Sequence, residues 1–228
     1  MLRDFRYLMP KVRLDADDLS PRFLNSKTFH LICNPTRAVS MVNNILSRRR
    51  SSGINSKPMF LWEPIPGVCS PNDWNDCIEA MKVVDVISPN INEAAGFLGR
   101  AIDEELPFEK FKEEVEVLAQ EYQNTTAVFR CGKHGCLVST MTVKKWLPAY
   151  HHKSDKVVDP TGGGNAFCGG FCAGWMQSQG DIVTAALHGN VAASFVIEQF
   201  GLPQLDYDQG VEKWNGDTIK NRLKYKLA

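Results

Sequence analysis

A run of three glycines placed between an apolar pair and a helix-like stretch constrains this chain more than any other feature. The run comprises Gly162, Gly163 and Gly164, and a helix-like segment begins directly after it at Asn165. Glycines at the start of a helix let several backbone N–H groups converge on one point, where the helix dipole also favours negative charge. The sequence therefore predicts an anion-binding site at the start of a helix.

The spacing of the glycine run excludes two common phosphate-binding motifs. A dinucleotide fingerprint that starts at Gly162 requires glycine where this chain has Phe167, and a P-loop that starts at Gly164 requires lysine where this chain has Gly170. The glycines also lie late in the chain. Both observations argue against a Rossmann-type oxidoreductase.

The same segment resembles the second signature of the ribokinase or PfkB family of carbohydrate kinases, written D-[TP]-T-G-A-G-D-x-F-x-G-G-F. The matching residues are Asp159, Pro160, Thr161, Gly162, Gly164, Phe167, Gly169, Gly170 and Phe171. The resemblance implies that the residue after the glycines is an aspartate that accepts the proton of the substrate hydroxyl, and this chain has Asn165 there. Since a carboxamide has no useful basicity, we expect impaired catalysis.

The segment Asn90-Ile91-Asn92-Glu93 allows two interpretations. Asparagine followed three residues later by glutamate is a capping-box pattern, which ties down exposed donors at the start of a helix. The segment also resembles the N-x-x-E motif of the same kinase family, in which the glutamate helps to hold magnesium near the phosphates. The resemblance thus implies an Mg²⁺ site that involves Asn90 and Glu93, and a monovalent cation at Asp159 as in some ribokinase-like enzymes.

Two further segments are similar to the family's nucleotide site. Residues 130–135 resemble T-x-G-x-x-G, with Arg130 in place of the threonine, although a tight hairpin turn explains them equally well. Residues 185–201 resemble the helix that walls the adenine pocket, and a packed helix with small residues at a crossing is the alternative. The residues to which the resemblance assigns nucleotide contacts are Gly132, Lys133, Gly135, Thr161, Asn190 and Ala193.

The segment that begins Trp62-Glu63-Pro64 resembles a fungal branch of ribokinase-like proteins, the branch that includes the maintenance-of-killer protein. The resemblance spans residues 27 to about 205 and corresponds to the later two thirds of a ribokinase-like chain. We therefore expect a single domain over residues 1–228 that is incomplete at its N-terminus. Residues 1–14 are at most a remnant of a lid strand.

Short apolar runs alternate with amphipathic windows from about residue 27 onward, which predicts an α/β fold with a parallel sheet covered by helices. Together with the resemblance, this predicts a three-layer ribokinase-like fold with a mostly parallel sheet. The predicted strands are 28–33, 59–62, 83–87, 127–130, 136–139 and 144–147. The predicted helices are 37–48, 71–81 with Ser70 as its cap, a short helix after Asn90, 108–120, 165–177, 182–199 and 217–226.

The equal numbers of basic and acidic residues limit the classes of binding partner that the sequence predicts. Twenty-six basic and twenty-six acidic residues give no net formal charge, so the molecule has no overall attraction for nucleic acid or an anionic membrane. The sequence contains no stretch of about 18 apolar residues, and its N-terminus carries charges where a signal peptide needs an apolar core. We expect a cytoplasmic protein whose partners are a nucleotide and a small acceptor, and a homodimer remains open.

The cysteines give no sign of a metal site in the sequence. The chain has seven cysteines and no C-x-x-C pair, and buried reduced thiols are the simplest interpretation. A zinc site would need tighter ligand clustering along the chain than these cysteines and the five histidines show.

Two functions stay open at this point. The first is a kinase that uses ATP and Mg²⁺ to phosphorylate a hydroxyl of a sugar or nucleoside, impaired by Asn165. The second is a pseudokinase that binds the nucleotide without catalysis and serves as an interaction module. Both place phosphate at Gly162, Gly163 and Gly164, and they differ in the consequence of the asparagine.

Overall fold

The computed structural model describes residues 12–151 and 154–227. The strands are β1 (Thr28–Ile32), β2 (Met59–Glu63), β3 (Val86–Ile87), β4 (Ala127–Arg130), β5 (Cys136–Ser139), β6 (Lys144–Leu147), β7 (Leu205–Asp208) and β8 (Val211–Trp214). The helices are α1 (Pro21–Leu24), α2 (Pro35–Ser51), α3 (Trp74–Met81), α4 (Ile91–Phe97), α5 (Phe108–Gln120), α6 (Gly163–Gln177), α7 (Ile182–Val196) and α8 (Ile219–Leu227).

Six strands form one sheet in the order β1-β2-β3-β4-β5-β6. The first four are parallel, and β5 and β6 continue the sheet in antiparallel fashion. Because parallel strands point the same way, β1 to β4 all end at one edge of the sheet, here called the carboxyl edge. Open α/β sheets bind their ligands at this edge.

Helices cover both faces of the sheet, as β2 illustrates. Its side chains alternate between the faces, and all five residues are buried. Phe60 and Trp62 belong to the core formed with α2, α3, α4 and α5, whereas Met59 and Leu61 belong to the core formed with α6 and α7. The α/β fold with three layers and a mostly parallel sheet is therefore confirmed.

Side-chain caps explain where two of the longer helices begin. The Asn34 side chain accepts a hydrogen bond from the backbone N–H of Arg37 at 2.9 Å, and Pro35 occupies the first position of α2. Asp181 caps α7 in the same way through the N–H of Thr184 at 2.6 Å. These local bonds fix the helices that flank the sheet.

Two elements after β2, the helix α3 and the strand β3, differ from the sequence prediction. Only Val86–Ile87 forms the strand predicted over residues 83–87, because the N–H groups of Val83 and Val84 donate to Ala80 and extend the turn that ends α3. Ser70 does not cap the backbone of α3 among the described contacts. Its hydroxyl lies 2.5 Å from the Asp73 carboxylate, and residues 71–73 form a 3₁₀ turn before the helix.

The hairpin of β7 and β8 was not predicted. Its two-residue turn, Gln209-Gly210, has positive φ at both positions, 50° and 78°, the conformation that two-residue hairpin turns require. The helix predicted over residues 217–226 is present as α8 and begins at Ile219.

Arg222 fastens α8 to α7. Its Nη1 lies 2.7 Å from Oε1 of Glu198 and donates to the Ser194 hydroxyl at 2.7 Å, and its guanidinium stacks 3.6 Å from the centre of the Phe195 ring. His151 contacts the same Glu198 oxygen at 2.8 Å. We call these residues the Arg222 cluster.

Two adjacent glycines in α6 have different surroundings. A Cβ at Gly170 would lie 2.5 Å from Cβ of Ala192 and 2.7 Å from the carbonyl oxygen of His188, whereas a Cβ at Gly169 would have nothing within 4 Å. Close approach of α7 therefore explains Gly170, and nothing in the structure explains Gly169.

Among the described helices, none combines the length and the apolar character needed to cross a membrane. The lid remnant predicted at residues 1–14 lies mostly outside the described residues. The single-domain organisation expected for residues 1–228 stays a prediction.

Candidate functional site

A cavity of about 770 Å³ opens between α6, α7 and the turn after β4. Its volume is in the range of pockets that hold small ligands. Eight residues singled out from the sequence line it: Asn90, Gly132, Lys133, Gly135, Gly163, Gly164, Asn190 and Ala193. Three separate sequence segments and the glycine run thus meet in one place.

Five other predicted residues fall outside this lining. The part of the cavity wall formed by described residues does not include Glu93, Asp159, Thr161, Gly162 or Asn165. Asn165 is exposed to solvent in the first turn of α6, and Thr161 is exposed before it. The Asp159 carboxylate accepts a hydrogen bond from the N–H of Thr161 at 3.0 Å, and its role as a cation ligand stays a prediction.

The backbone at the start of α6 has free donors. Gly162 adopts a left-handed conformation with φ of 81°, which lets the chain turn into the helix. The N–H of Gly163 donates to the Pro160 carbonyl at 3.1 Å, while the hydrogen bonds among described residues leave the N–H groups of Gly162, Gly164 and Asn165 unused. This is the geometry that an anion site at a helix N-terminus requires.

The capping box predicted at Asn90 and Glu93 is present. The Asn90 side chain accepts from the N–H of Glu93 at 2.8 Å, and Oε2 of Glu93 accepts from the N–H of Asn90 at 2.8 Å. The structural interpretation of this segment is therefore correct, and one oxygen of Glu93 is already engaged.

Arg130, at the end of β4, occupies the centre of the site. Its Nε donates to the Ser88 carbonyl at 3.2 Å, and its Nη2 lies 2.9 Å from Oε1 of Glu63 and 3.4 Å from Oε2 of Glu93. A side chain at Gly164 would collide with Nη1 of Arg130. The guanidinium thus fills the space between two carboxylates and the first turn of α6, a position that the sequence did not reveal.

The two carboxylates around Arg130 differ in basicity. Burial by itself raises the pKa of Glu63, but the hydrogen bond from His30 at 2.8 Å and the charge of Arg130 outweigh it, so the pKa lies below its ordinary value. Burial raises the pKa of Glu93 to about 7, because the hydrogen bond from Asn90 and the charge of Arg130 only partly oppose it. Of the two carboxyl groups, Glu63 is therefore the one that forms the stronger ion pair with Arg130.

Glu63 and Glu93 in this arrangement do not fit Mg²⁺. That ion needs oxygen ligands in octahedral geometry at about 2.0–2.1 Å. Oε1 of Glu63 and Oε2 of Glu93 both contact Nη2 of Arg130. A Mg²⁺ ion between these two oxygens would have to displace the guanidinium of Arg130. The Mg²⁺ role expected for Glu93 therefore stays a prediction.

Three potential metal ligands meet beside Arg130. His30, Glu63 and Cys168 place their ligand atoms within 4.8 Å of one another, a clustering that spacing along the chain did not predict. Burial raises the pKa of the Cys168 thiol, and the adjacent guanidinium opposes a divalent cation. All seven cysteines are free thiols, with only Cys69 partly exposed, as expected.

The residues predicted to contact the nucleotide have defined structural roles. Gly135 has φ of 91°, and a side chain there would collide with the carbonyl of Leu147. Asn190 is buried and donates to the Pro148 carbonyl at 3.2 Å. Lys133 is paired with Glu105 at 2.8 Å at the cavity rim.

Sequence reasoning missed several residues of the cavity wall. The missed residues are apolar side chains together with polar ones from the loop after β6 and from α7: Val157, Ile197, Ala149, Tyr150, His151 and Ser194. Pro160 and Phe167, which belong to the family signature, also line the wall. Tyr150 and His151 follow a predicted strand, and a strand end is the one local signal that could have marked them.

The chain matches the family described as pfkB family carbohydrate kinase over residues 64–205. Protein MAK32 of Saccharomyces cerevisiae is 35% identical over all of this chain and 65% of its own length. The uncharacterized protein C16C9.01c of Schizosaccharomyces pombe is 34% identical over 97% of this chain and 65% of its own length. The chain thus spans just under two thirds of these relatives, and the similarity to the maintenance-of-killer branch is confirmed.

Solved structures agree on the fold. The structure of Arabidopsis thaliana ribokinase complexed with ribose and ATP superposes with a TM-score of 0.54 and 17% identity, and the match covers 85% of this chain and 56% of that one. At this identity the comparison establishes the ribokinase-like fold.

Proposed function

This chain belongs to the pfkB family of carbohydrate kinases, and we propose that it binds the phosphates of ATP at the start of α6, in the cavity beside α7. One observation carries the proposal. The N–H groups of Gly162, Gly164 and Asn165 find no partner among the described residues, at a helix N-terminus next to a cavity. The ribokinase of Arabidopsis thaliana, which shares the fold, is recorded with ATP and ribose.

The cavity wall supports the nucleotide assignment. Gly163 and Gly164 form part of the cavity wall at the start of α6, and Gly135 forms part of it at the turn after β4. Asn190 and Ala193 on α7, with the apolar side chains around them, form a surface suited to a flat base. In this proposal Gly132, Lys133 and Thr161 border the nucleotide, with Lys133 at the rim.

The reaction that follows from the family is phosphotransfer from ATP to a hydroxyl of a sugar or nucleoside. Asn165 has no basicity, and losing a general base lowers turnover by roughly 10²–10⁴-fold. Phosphoryl transfer depends mostly on positioning and electrostatics, so the expected activity is impaired rather than zero. Glu63 and Glu93 do not form a Mg²⁺ site in this arrangement, because Nη2 of Arg130 contacts both carboxylates.

A pseudokinase that binds the nucleotide without catalysis is the second candidate. Two observations favour it. Asn165 is exposed outside the described lining of the cavity, and Glu63, which follows Trp62 at the end of β2, is tied to Arg130 and His30 and thereby withdrawn from acid or base chemistry. A cytoplasmic location and a homodimer stay predictions under either candidate.

Titration calorimetry with ATP tests the nucleotide site. Gly164→Ala places a methyl group against Arg130 and should weaken ATP binding by at least about tenfold, or about 1.4 kcal/mol. The matched control is Gly169→Ala in the same helix, where a Cβ meets nothing within 4 Å, and its affinity should not change. Equal ATP affinities for both variants and the natural chain would show that the glycine run does not take part in ATP binding.

Turnover separates the two candidates. ATP consumption is measured with a panel of sugars and nucleosides for the natural chain and for Asn165→Asp. Slow turnover that rises by roughly 10²-fold or more with the aspartate supports an impaired kinase. Binding without turnover in either protein supports the pseudokinase. Full turnover in the natural chain contradicts the proposed effect of Asn165.

A further inference from the structure

The polar groups on the α7 side of the cavity come from two segments. Asn190 and Ser194 lie on α7, and Tyr150 and His151 lie in the loop after β6; all four line the cavity. Ser194 directly follows Ala193, which belongs to the surface suited to a flat base. These polar groups are therefore the ones available to the edge of a base on that surface.

Glu198, which is absent from the described cavity lining, is held as a carboxylate. Its Oε2 accepts from Nδ2 of Asn215 at 2.7 Å and from Nη2 of Arg222 at 3.1 Å. Burial by itself raises the pKa of Glu198, but the hydrogen bonds from Arg222 and Asn215 and the charge of Arg222 outweigh it, so the pKa lies below its ordinary value. At neutral pH this side chain can only accept hydrogen bonds.

The bond to Glu198 decides which ring nitrogen of His151 carries the proton. Nε2 of His151 lies 2.8 Å from Oε1 of Glu198. Because the carboxylate only accepts, Nε2 donates, and Nδ1 of the neutral imidazole is then an acceptor. The Tyr150 ring packs edge-on against this imidazole, with 5.1 Å between the ring centres, and helps to hold its orientation.

Nδ1 of His151 is open. No hydrogen bond among the described residues uses it, and Nε of Arg49 is the one side-chain nitrogen or oxygen in the described part of the chain that is sealed without a partner. Nδ1 is therefore within reach of solvent. Since the two nitrogens of an imidazole point away from each other, Nδ1 is directed away from Glu198, and His151 lines the cavity.

The polar side chains on α7 add an acceptor and no free donor. Nδ2 of Asn190 donates to the Pro148 carbonyl at 3.2 Å, which fixes the orientation of the amide and leaves Oδ1 without a partner among the described residues. The Ser194 hydroxyl donates to a carbonyl of its own helix at 2.6 Å and accepts from Arg222 at 2.7 Å. This side of the cavity is therefore matched to a ligand group that donates.

We propose that His151, held as an acceptor by Glu198, selects nucleotides whose base carries an exocyclic amine, as adenine does, over bases with a carbonyl in that place, as hypoxanthine has. The amine donates to Nδ1, whereas a carbonyl oxygen would set acceptor against acceptor and leave both unpaired. The inference rests on the proposed function, because it concerns the base of the same nucleotide. Glu198 acts through His151 and is a positioning residue.

Titration calorimetry of the full chain with ATP and with ITP tests the inference. ITP has the carbonyl in place of the amine at carbon 6 of the purine and the same triphosphate, so the pair isolates the edge of the base. Both titrations use one buffer with MgCl₂ at pH 7.5, where an ordinary imidazole is mostly neutral. The natural chain should bind ATP at least about tenfold more tightly than ITP.

Two variants of His151 assign the effect. His151→Phe keeps a ring beside Tyr150 and removes both nitrogens, so ATP affinity should fall by about tenfold while ITP affinity stays within about threefold. His151→Asn has an amide that is no longer bonded to Glu198 and can turn either its oxygen or its nitrogen to the base. Its ITP affinity should therefore rise towards its ATP affinity, which a purely structural role of His151 would not produce. Thermal melting confirms that each variant is folded.

Three results overturn the inference. If the natural chain binds ITP as tightly as ATP or more tightly, no acceptor reads the amine, although the nucleotide site itself stands. If folded His151→Phe keeps the natural ratio of the two affinities, another group reads the base; should that variant not fold, an unchanged ratio in His151→Asn has the same meaning. Absence of binding for both nucleotides overturns the proposed function together with this inference.

Discussion

Nη2 of Arg130 lies 2.9 Å from Oε1 of Glu63, and both side chains are almost fully withdrawn from solvent. The contact joins the ends of two strands that are separated in the sheet by β3. Removing one partner of a buried ion pair leaves the other charge without compensation, which is costly. The pair therefore matters for the stability of the fold.

Arg130→Gln should lower the free energy of unfolding by about 3 kcal/mol, because it leaves Glu63 and Glu93 without their shared cation. Urea denaturation followed by circular dichroism measures the loss. Arg100→Gln is the comparison, since its pair with Glu121 is exposed and should be worth less than about 1 kcal/mol. Similar losses in the two variants would show that the central pair is no stronger than a surface pair.

Glu93 should make stability depend on pH. Its pKa is raised from 4.5 to about 7 in the folded protein, so the folded state holds this proton more tightly than the unfolded chain does. The folded state therefore loses stability from this carboxyl as pH rises from about 4.5 to about 7, and the loss amounts to about 3 kcal/mol when complete.

Glu93→Gln removes this titration. The stability of the variant relative to the natural chain should improve between about pH 5 and about pH 8, as measured by urea denaturation at several pH values. Glu63→Gln should behave in the opposite way and in a lower pH window. The pKa of Glu63 lies below its ordinary value of 4.5, so the stability that its carboxylate contributes is present above about pH 4.5 and is lost as the pH falls further. The same pH trend in both variants would contradict the assigned environments.

Gly169→Ala and Gly170→Ala should change stability in opposite directions. At position 169 alanine adds helix propensity without a clash and should stabilise by about 1 kcal/mol. At position 170 the methyl group meets the backbone of His188 and the side chain of Ala192, which should destabilise by about 1–3 kcal/mol. Thermal melting of the two variants checks this, and a stabilising Gly170→Ala would mean that α6 and α7 are farther apart.

The cysteines should react slowly with a thiol reagent in the native protein. Burial raises the pKa of all seven thiols, and Cys69, partly exposed with a pKa of about 12, is the most accessible. Titration with Ellman's reagent at neutral pH should modify at most one thiol slowly, and Cys69→Ser should remove that reaction. Rapid reaction of several thiols would contradict the packing around the sheet.

The features that the sequence predicted well depend on neighbours close in the chain. The capping box at Asn90 and Glu93 needs residues three apart, and both of its hydrogen bonds are present. The turn at Gly162 and the start of α6 are equally local, and the alternation of apolar runs was enough for the layers of the fold. Local geometry and burial pattern carry this information.

The centre of the candidate site could not be predicted because its residues meet only through the sheet. The sequence showed Arg130 as a departure from the family pattern. Its partners Glu63 and Glu93 follow other strands, and the order of the strands in the sheet determines which of these side chains are in contact. Asn165 follows the glycine run in the sequence, yet its exposure depends on how α6 turns against the sheet. The hairpin at Gln209-Gly210 was not predicted, although alternating apolar and polar residues and a glycine in the turn are local signals for it.

The Arg222 cluster makes the final helix part of the ligand's surroundings. Ser194 and His151 line the cavity. Ser194 accepts a hydrogen bond directly from the guanidinium that anchors α8, and His151 is linked to that guanidinium through Glu198. A ligand that tightens this wall should therefore slow amide exchange in α8, at a distance from any atom it touches. Removal or unfolding of α8 should in turn lower the affinity for that ligand.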